Sequence, residues 1–243
     1  MKNFLSSVRQ MSKFLRDKSE NIKKLVFRFD LAKISCMKTY AFIDASNLFY
    51  GGEKSLGWKI DYQKLFQYLK TKYNVSAVFY FGGVEIHNFK YDYQKNDTVP
   101  LDKLEKHLKI LISNDGAKLN EAELLLIGRH LQRVRFYQRL NSFGYKLYLK
   151  PVKLYDQEDG TTKRKANCDV DMTFRLMKEK DEFEKALVLS GDGDFLPVFK
   201  YLRDIGKEIV ILGRGKRTAK EIRQFAQSNF RDFEYLRNLL RMD

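Results

Sequence analysis

The sequence predicts an α/β fold, a three-layer sandwich with a central, mainly parallel sheet, and three observations predict it. From Thr39 onward, short β-rich runs alternate with helical runs, the pattern of strands joined by crossover helices. Lys185 to Leu189 is almost fully apolar, as expected of a strand buried on both faces. The chain has 243 residues, 44% of them apolar, enough for a large core and near the upper end for one α/β domain.

Taken in order, Thr39 to Ile43 reads as the first strand and Tyr62 to Tyr73 as a helix with Leu65, Phe66 and Leu69 inward. Val75 to Phe81 is the second strand. Leu101 to Ile112 and Glu121 to Leu140 are helices, the latter ending near Gly144. Tyr145 to Val152 is a third strand, Val170 to Lys178 a helix, and Lys185 to Leu189 the fourth strand. Phe195 to Asp204 is a helix closed by Gly206, followed by a fifth strand, Glu208 to Leu212, a helix from Thr218 to Ala226 and a short segment from Phe230. Glu85 to Asp102 and Tyr155 to Lys165 read as loops, being polar and rich in turn residues.

Residues 1–36 differ from the rest. They carry nine lysines and arginines against Asp17, Glu20 and Asp30, with Leu5, Val8, Phe14 and Leu15 at loosely helical spacing. They read as a basic amphipathic extension that lacks a signal peptide's long apolar stretch. The functional unit is expected from Met37 to residue 243.

Lysine and arginine number 46 against 31 acidic residues, a net charge of +15. A surplus of this size points to an anionic partner, nucleic acid first, because clustered cations release counterions from phosphate chains. No apolar run approaches the roughly 18 to 20 residues of a membrane span. Two cysteines, Cys36 and Cys168, make no disulfide framework, and a reducing, cytoplasmic location is expected.

In open parallel sheets ligands gather at the carboxyl ends of the strands. Here those ends are acidic. The first strand runs into Asp44-Ala45-Ser46-Asn47, and the fourth into Ser190-Gly191-Asp192-Gly193-Asp194. Between them, Asn167-Cys168-Asp169-Val170-Asp171 opens a helix. Each has a plainer reading: Asp169 as a helix N-cap, Asp44 and Asn47 as a turn motif, Asp192 and Asp194 as a capped helix start before Pro197. Carboxylates delivered to one sheet edge by three segments of a basic protein are costly unless a cation joins them. Oxygen donors suit a hard divalent ion such as magnesium. His87, His107 and His130 show no ligand spacing, which argues against zinc.

The ordered trio, Phe42-Ile43-Asp44-Ala45-Ser46-Asn47, Lys165-Ala166-Asn167-Cys168-Asp169-Val170-Asp171 and Leu189-Ser190-Gly191-Asp192-Gly193-Asp194-Phe195-Leu196-Pro197, resembles the NYN domain of the PIN-like nuclease superfamily, in its LabA-like branch. The resemblance covers roughly Met37 to the end. It implies a metal-dependent ribonuclease fold in which Asp44, Asp169, Asp192 and Asp194 match the acidic, metal-holding cluster and Asn47 and Ser190 its polar neighbours. The chain departs from many relatives at Ala166, where they have glycine, and at Gln227 or Ser228, where they have an acid.

The expectation that follows is hydrolysis of single-stranded RNA with Mg2+ or Mn2+, the metals held by Asp44, Asp169, Asp192 and Asp194, with Asn47 orienting the phosphate. Asp171 points away from Asp169 around the helix and is assigned a supporting place. Arg214, Lys216 and Arg217 in the loop after the fifth strand, with Lys165 before the second acidic segment and Ser190, are the expected phosphate contacts. Phe49, Tyr50 and Trp58 are candidates for stacking on unpaired bases. A homodimer is compatible with this reading. The main alternative is a non-catalytic RNA-binding or regulatory module on the same fold; a haloacid-dehalogenase phosphatase would need DxDx[TV] where the chain has Asp44-Ala45-Ser46-Asn47.

Overall fold

The computed structural model describes residues 38–49, 56–115, 119–156 and 162–242. The extension read over residues 1–36 lies outside them, as does Tyr50.

Six strands form one all-parallel sheet: β1 (Thr39–Asp44), β2 (Val75–Val84), β3 (Lys146–Pro151), β6 (Lys185–Leu189), β7 (Glu208–Gly213) and β8 (Phe230–Asp232), in the order β3-β2-β1-β6-β7-β8. Helices α1 (Tyr62–Tyr73), α2 (Leu101–Asp115) and α3 (Glu121–Phe143) cover one face, and α4 (Asp169–Lys178), α5 (Leu196–Asp204) and α6 (Lys220–Ala226) the other. The split follows the two-residue period of a strand. Ala41 and Ile43 of β1 join Val78, Tyr80, Leu187 and Leu189 in the first core, with Leu65, Leu69 and Val134 from the helices. Phe42 between them joins Phe79, Phe81 and Val188 in the second, against Leu176 and Phe199. The all-parallel sheet flanked by helices on both faces is the predicted α/β sandwich.

Helix ends follow local chemistry. Asp61 accepts from Gln63 N at 2.9 Å and Lys64 N at 3.0 Å to start α1, and Asn74, at φ 51°, ends it in the left-handed region. Asn120 and Glu123 form a reciprocal capping box at the start of α3, whose end is turned by Gly144 at φ 103°. Among the described residues no helix is long and apolar enough to cross a membrane.

Several stretches differ from the sequence reading, among them β2, which runs past the expected end at Phe81 to Val84, and α2, which runs past Ile112 to Asp115. β1 extends one residue further, so Asp44 is the last residue of the strand. The Tyr155 to Lys165 stretch contributes to an antiparallel hairpin, β4 (Lys153–Asp156) with β5 (Thr162–Lys165), outside the main sheet. Its lysines, arginine and threonines carry no alternating apolar signal, so strand pairing was invisible there.

Candidate active site

The chain leaves β1 toward β2 and β3 on one side, then returns past β1 to β6, β7 and β8 on the other. The direction of winding therefore reverses between β1 and β6, and the crevice outside their carboxyl ends is where such sheets bind ligands. Ile43 pairs with Leu189 across that junction, which places Asp44 beside Ser190.

Asp44 is 4% exposed and caps a single helical turn, Ala45–Asn47. Its Oδ1 accepts from Ser46 N at 3.0 Å, Ser46 Oγ at 2.8 Å and Asn47 N at 3.1 Å. Its Oδ2 accepts from Ser190 Oγ at 3.2 Å. The Ser190 hydroxyl also accepts from Asp192 N at 3.3 Å, and Asn47 Oδ1 accepts from Gly191 N at 3.0 Å. The loops after β1 and β6 are thus stitched together by side chains 144 to 146 residues apart. Asp192 caps the next turn by accepting from Asp194 N at 3.0 Å, leaving Asp192 half-buried and Asp194 exposed.

Asp169 opens α4, its N–H donating to Asn167 Oδ1 at 3.2 Å. Asp44, Asp169 and Asp171 all act electrostatically on Cys168, whose thiol is pushed up to about 12, chiefly by burial and then by those carboxylates. Cys168 therefore stays a protonated thiol near neutral pH and offers no thiolate ligand. Asp171 is paired with Lys150 at 2.6 Å.

Burial raises the Asp44 carboxyl above its ordinary 3.8, outweighing the hydrogen bonds from Ser46, Asn47 and Ser190. Among the described residues no cation forms an ion pair with Asp44, Asp192 or Asp194. The donor set is oxygen only, with Asp44 Oδ2 engaged by a single hydroxyl. Among the described residues no three histidine, cysteine or carboxylate side chains are gathered as a ready-made metal cage. This donor chemistry fits magnesium or manganese, which take one or two carboxylates and fill the remaining positions with water and substrate, rather than a closed zinc site.

A charged carboxylate that its surroundings disfavour has a testable signature. Asp44→Asn is expected to raise stability in chelating buffer at pH 7 by about 0.5–2 kcal/mol, since asparagine keeps the cap and loses the buried charge. With a raised folded-state pKa, the stabilising preference for the protonated form is complete below the ordinary value of 3.8 and is lost as pH climbs through the raised value. The gap between variant and parent should therefore be small near pH 3.5 and open toward neutrality. Thermal melts at several pH values check this; a variant weaker than its parent at pH 7 would assign Asp44 a purely structural role.

The basic candidates separate. Arg214 is 7% exposed, its guanidinium paired with Asp232 at 3.4 Å and with Glu234. It ties the loop after β7 to the end of β8 and the turn that follows it, and its charge is spent inside the protein, contrary to the expected phosphate contact. Lys216 and Arg217, in the 3-10 turn Gly215–Arg217, are exposed. Lys165 ends β5, with its side chain outside the described residues. Ser190, 2% exposed, positions Asp44 and the Asp192 backbone. Trp58 is core, whereas Phe49 is 37% exposed.

Two features escaped the sequence reading. Glu221, in the first turn of α6, reaches Gly193, bringing a further carboxylate to the acidic loop. A glutamate just past a basic turn was the available signal. The three histidines, far apart in sequence, also meet: the His87 and His130 rings are in contact, His130 Nε2 lies 3.7 Å from Glu85, and His107 Nε2 lies 2.7 Å from the His87 carbonyl oxygen.

A curated relative, the low amplitude and bright protein LabA of Synechococcus elongatus, is 24% identical over 107 residues, 43% of this chain. The match spans 57% of that protein's length. A crystal structure of a protein of unknown function from Vibrio parahaemolyticus shares the fold, with a TM-score of 0.51 at 18% identity over 81% of this chain and 92% of that one. A bacteriophage T5 flap endonuclease crystallised with DNA and metal ions aligns with a TM-score of 0.39 at 12% identity, over 79% of this chain and 60% of its own. The NYN domain model matches residues 38–234, so the chain belongs to the NYN domain family.

Proposed function

We propose that this protein is a metal-dependent ribonuclease that hydrolyses phosphodiester bonds of single-stranded RNA, with the functional unit running from Met37 onward. The observation that carries the reading is the meeting of Asp44, Ser190 and Asp192 at the reversal between β1 and β6, with Asp169 brought to the same edge. Asp44, Asp169, Asp192 and Asp194 would hold the ions, which when bound supply Lewis acidity toward the phosphate and the attacking water.

The chain's own groups do the rest. Ser46, Asn47 and Ser190 fix the Asp44 carboxylate, so no reorganisation is needed when substrate arrives. With its Oδ1 engaged by Gly191 N, Asn47 presents its amide N–H groups as donors for a phosphate oxygen. Lys216 and Arg217 lie in the loop that follows β7, on the same edge, and grip the flanking backbone.

The direct test is cleavage of a labelled unstructured RNA with magnesium, with manganese and with chelator. Cleavage that persists in chelator, or none in any metal, removes the metal-dependent reading. Replacing Lys216 and Arg217 together by alanine is expected to weaken RNA binding and to flatten its log–log salt dependence by about 1.4 units, about 0.7 for each single-strand phosphate that is no longer neutralised. Titrations at several salt concentrations check this; an unchanged slope would place the phosphate grip elsewhere.

A further inference from the structure

A cavity of about 540 Å³ opens beside the acidic edge, on the face of the sheet covered by α1 and α3. Its volume lies within the roughly 300–1,000 Å³ of small-molecule sites. Its walls are aromatic. Tyr62 and Phe136 meet edge to face at 5.1 Å, and Tyr62 contacts Tyr80 at 6.2 Å, so the rings brace one another. Phe49 stands at its margin, partly exposed.

Three features mark it as a binding site rather than a packing defect. First, it is polar at selected points: Lys59, Glu85 and Arg133 line it, and Arg133 is drawn to Tyr137 and Glu85. Second, its walls are tied down. Tyr137 Oη donates to the Gly83 carbonyl oxygen at 2.7 Å, and Met242 N donates to the Lys59 carbonyl oxygen at 2.9 Å. Third, it is continuous with the candidate active site. Ser46, which lines the cavity, donates its hydroxyl to Asp44, and Ala166, also in the lining, directly precedes Asn167 and lies three residues before Asp169.

We infer that this cavity receives one unpaired base of the RNA strand, the base neighbouring the phosphate that is cut. The inference rests on the single-strand ribonuclease reading and extends it to how the strand is set in register. Flat aromatic walls suit a flat ring, since every base has a π face to stack, and the guanidinium of Arg133 and carboxylate of Glu85 meet the donors and acceptors on a base edge. A base held there would set the neighbouring phosphate beside the acidic edge, where the carboxylates would hold the ions; a paired duplex could not deliver it without extruding the base.

The test uses the full chain and a short unstructured RNA in which one abasic residue is moved along the strand, with binding read by fluorescence anisotropy in chelator and the cut mapped in magnesium. One abasic position, next to the cut, is expected to weaken binding roughly tenfold, the others little. Phe136→Ala should weaken the intact RNA by a similar factor and remove the extra loss at that position, the sign of direct coupling. Because Phe136 packs against Tyr62, its melting is measured alongside, and the exposed Arg133→Ala provides a second variant with the same expected coupling. A uniform abasic cost along the strand, or an abasic loss undiminished in both variants, overturns the base pocket. If RNA is cut in a metal-dependent way and the abasic profile is flat, only the pocket falls. If a single position matters but no metal supports cleavage, only the nuclease reading falls. Absence of any RNA binding overturns both.

Discussion

Asp192→Asn should lower RNA cleavage by about a hundred- to a thousandfold, the scale of losing one preorganised charged group at a reacting phosphate, while RNA affinity changes less than about threefold. The substitution is informative because the local structure survives it. Asp192 caps the turn that starts at Gly193, and asparagine caps as well as aspartate. Its backbone N–H keeps its bond to Ser190 Oγ. What is removed is one negative charge at the sheet edge, so a fall in rate with an unchanged melting temperature assigns the loss to chemistry. Single-turnover cleavage in magnesium and manganese, with binding measured in chelator, separates the two. Equal residual cleavage by parent and variant in every metal, with RNA still bound, would leave the non-catalytic RNA-binding module as the better account.

Gly191→Ala is expected to destabilise the protein by about 1–3 kcal/mol, the usual cost of forcing an extra methyl into a packed place. For a chain of this size that is about 2–12 °C in melting temperature. A Cβ on Gly191 would stand 2.6 Å from Thr218 Oγ1 and 2.8 Å from Thr218 Cα, and the second neighbour is backbone, which cannot swing aside. Thr218 is fixed from behind by its hydroxyl donating to the Arg214 carbonyl oxygen at 2.9 Å, and Ala219 N donates to the Gly191 carbonyl oxygen at 2.9 Å. The displacement would also stretch the bond from Gly191 N to Asn47, so cleavage should fall with stability. Gly128→Ala supplies the opposite sign. It sits inside α3 with nothing within 4 Å of the added methyl, and alanine there should stabilise by about 0.5–1 kcal/mol. Calorimetry on the two variants checks the pair; a neutral Gly191→Ala would show that the loops after β6 and β7 are not packed as described.

What could be read from the sequence was what neighbouring residues decide among themselves. Lys185–Leu189 is a strand because four consecutive apolar residues, Ala186–Leu189, suit burial on both faces, and its bounds agree with the sequence reading. Tyr62–Tyr73 agrees as well, since its start is set by Asp61 and its end by Asn74, each acting within one turn. The acids after β1 and β6 were identifiable because a parallel sheet sends the ends of its strands to one edge whatever their order.

Tertiary structure decided the rest. The order β3-β2-β1-β6-β7-β8 places the reversal between the two acidic strands, and no local pattern states which strands are neighbours. Arg214 looked like a free cation beside Lys216 and Arg217 until residues 18 and 20 positions further on supplied its partners. The β4–β5 pair lacks an apolar rhythm and is held by antiparallel pairing between its two strands. Asn47 meets Gly191 and Ser190 meets Asp44 only because β1 and β6 lie side by side. Periodicity and capping act over a turn or a strand, so the sequence alone determined the elements and the acids they carry; hydrogen bonds and ion pairs between distant segments depend on which surfaces come together, so only the folded chain determined which acids meet, which cations are spent and where a cavity is left.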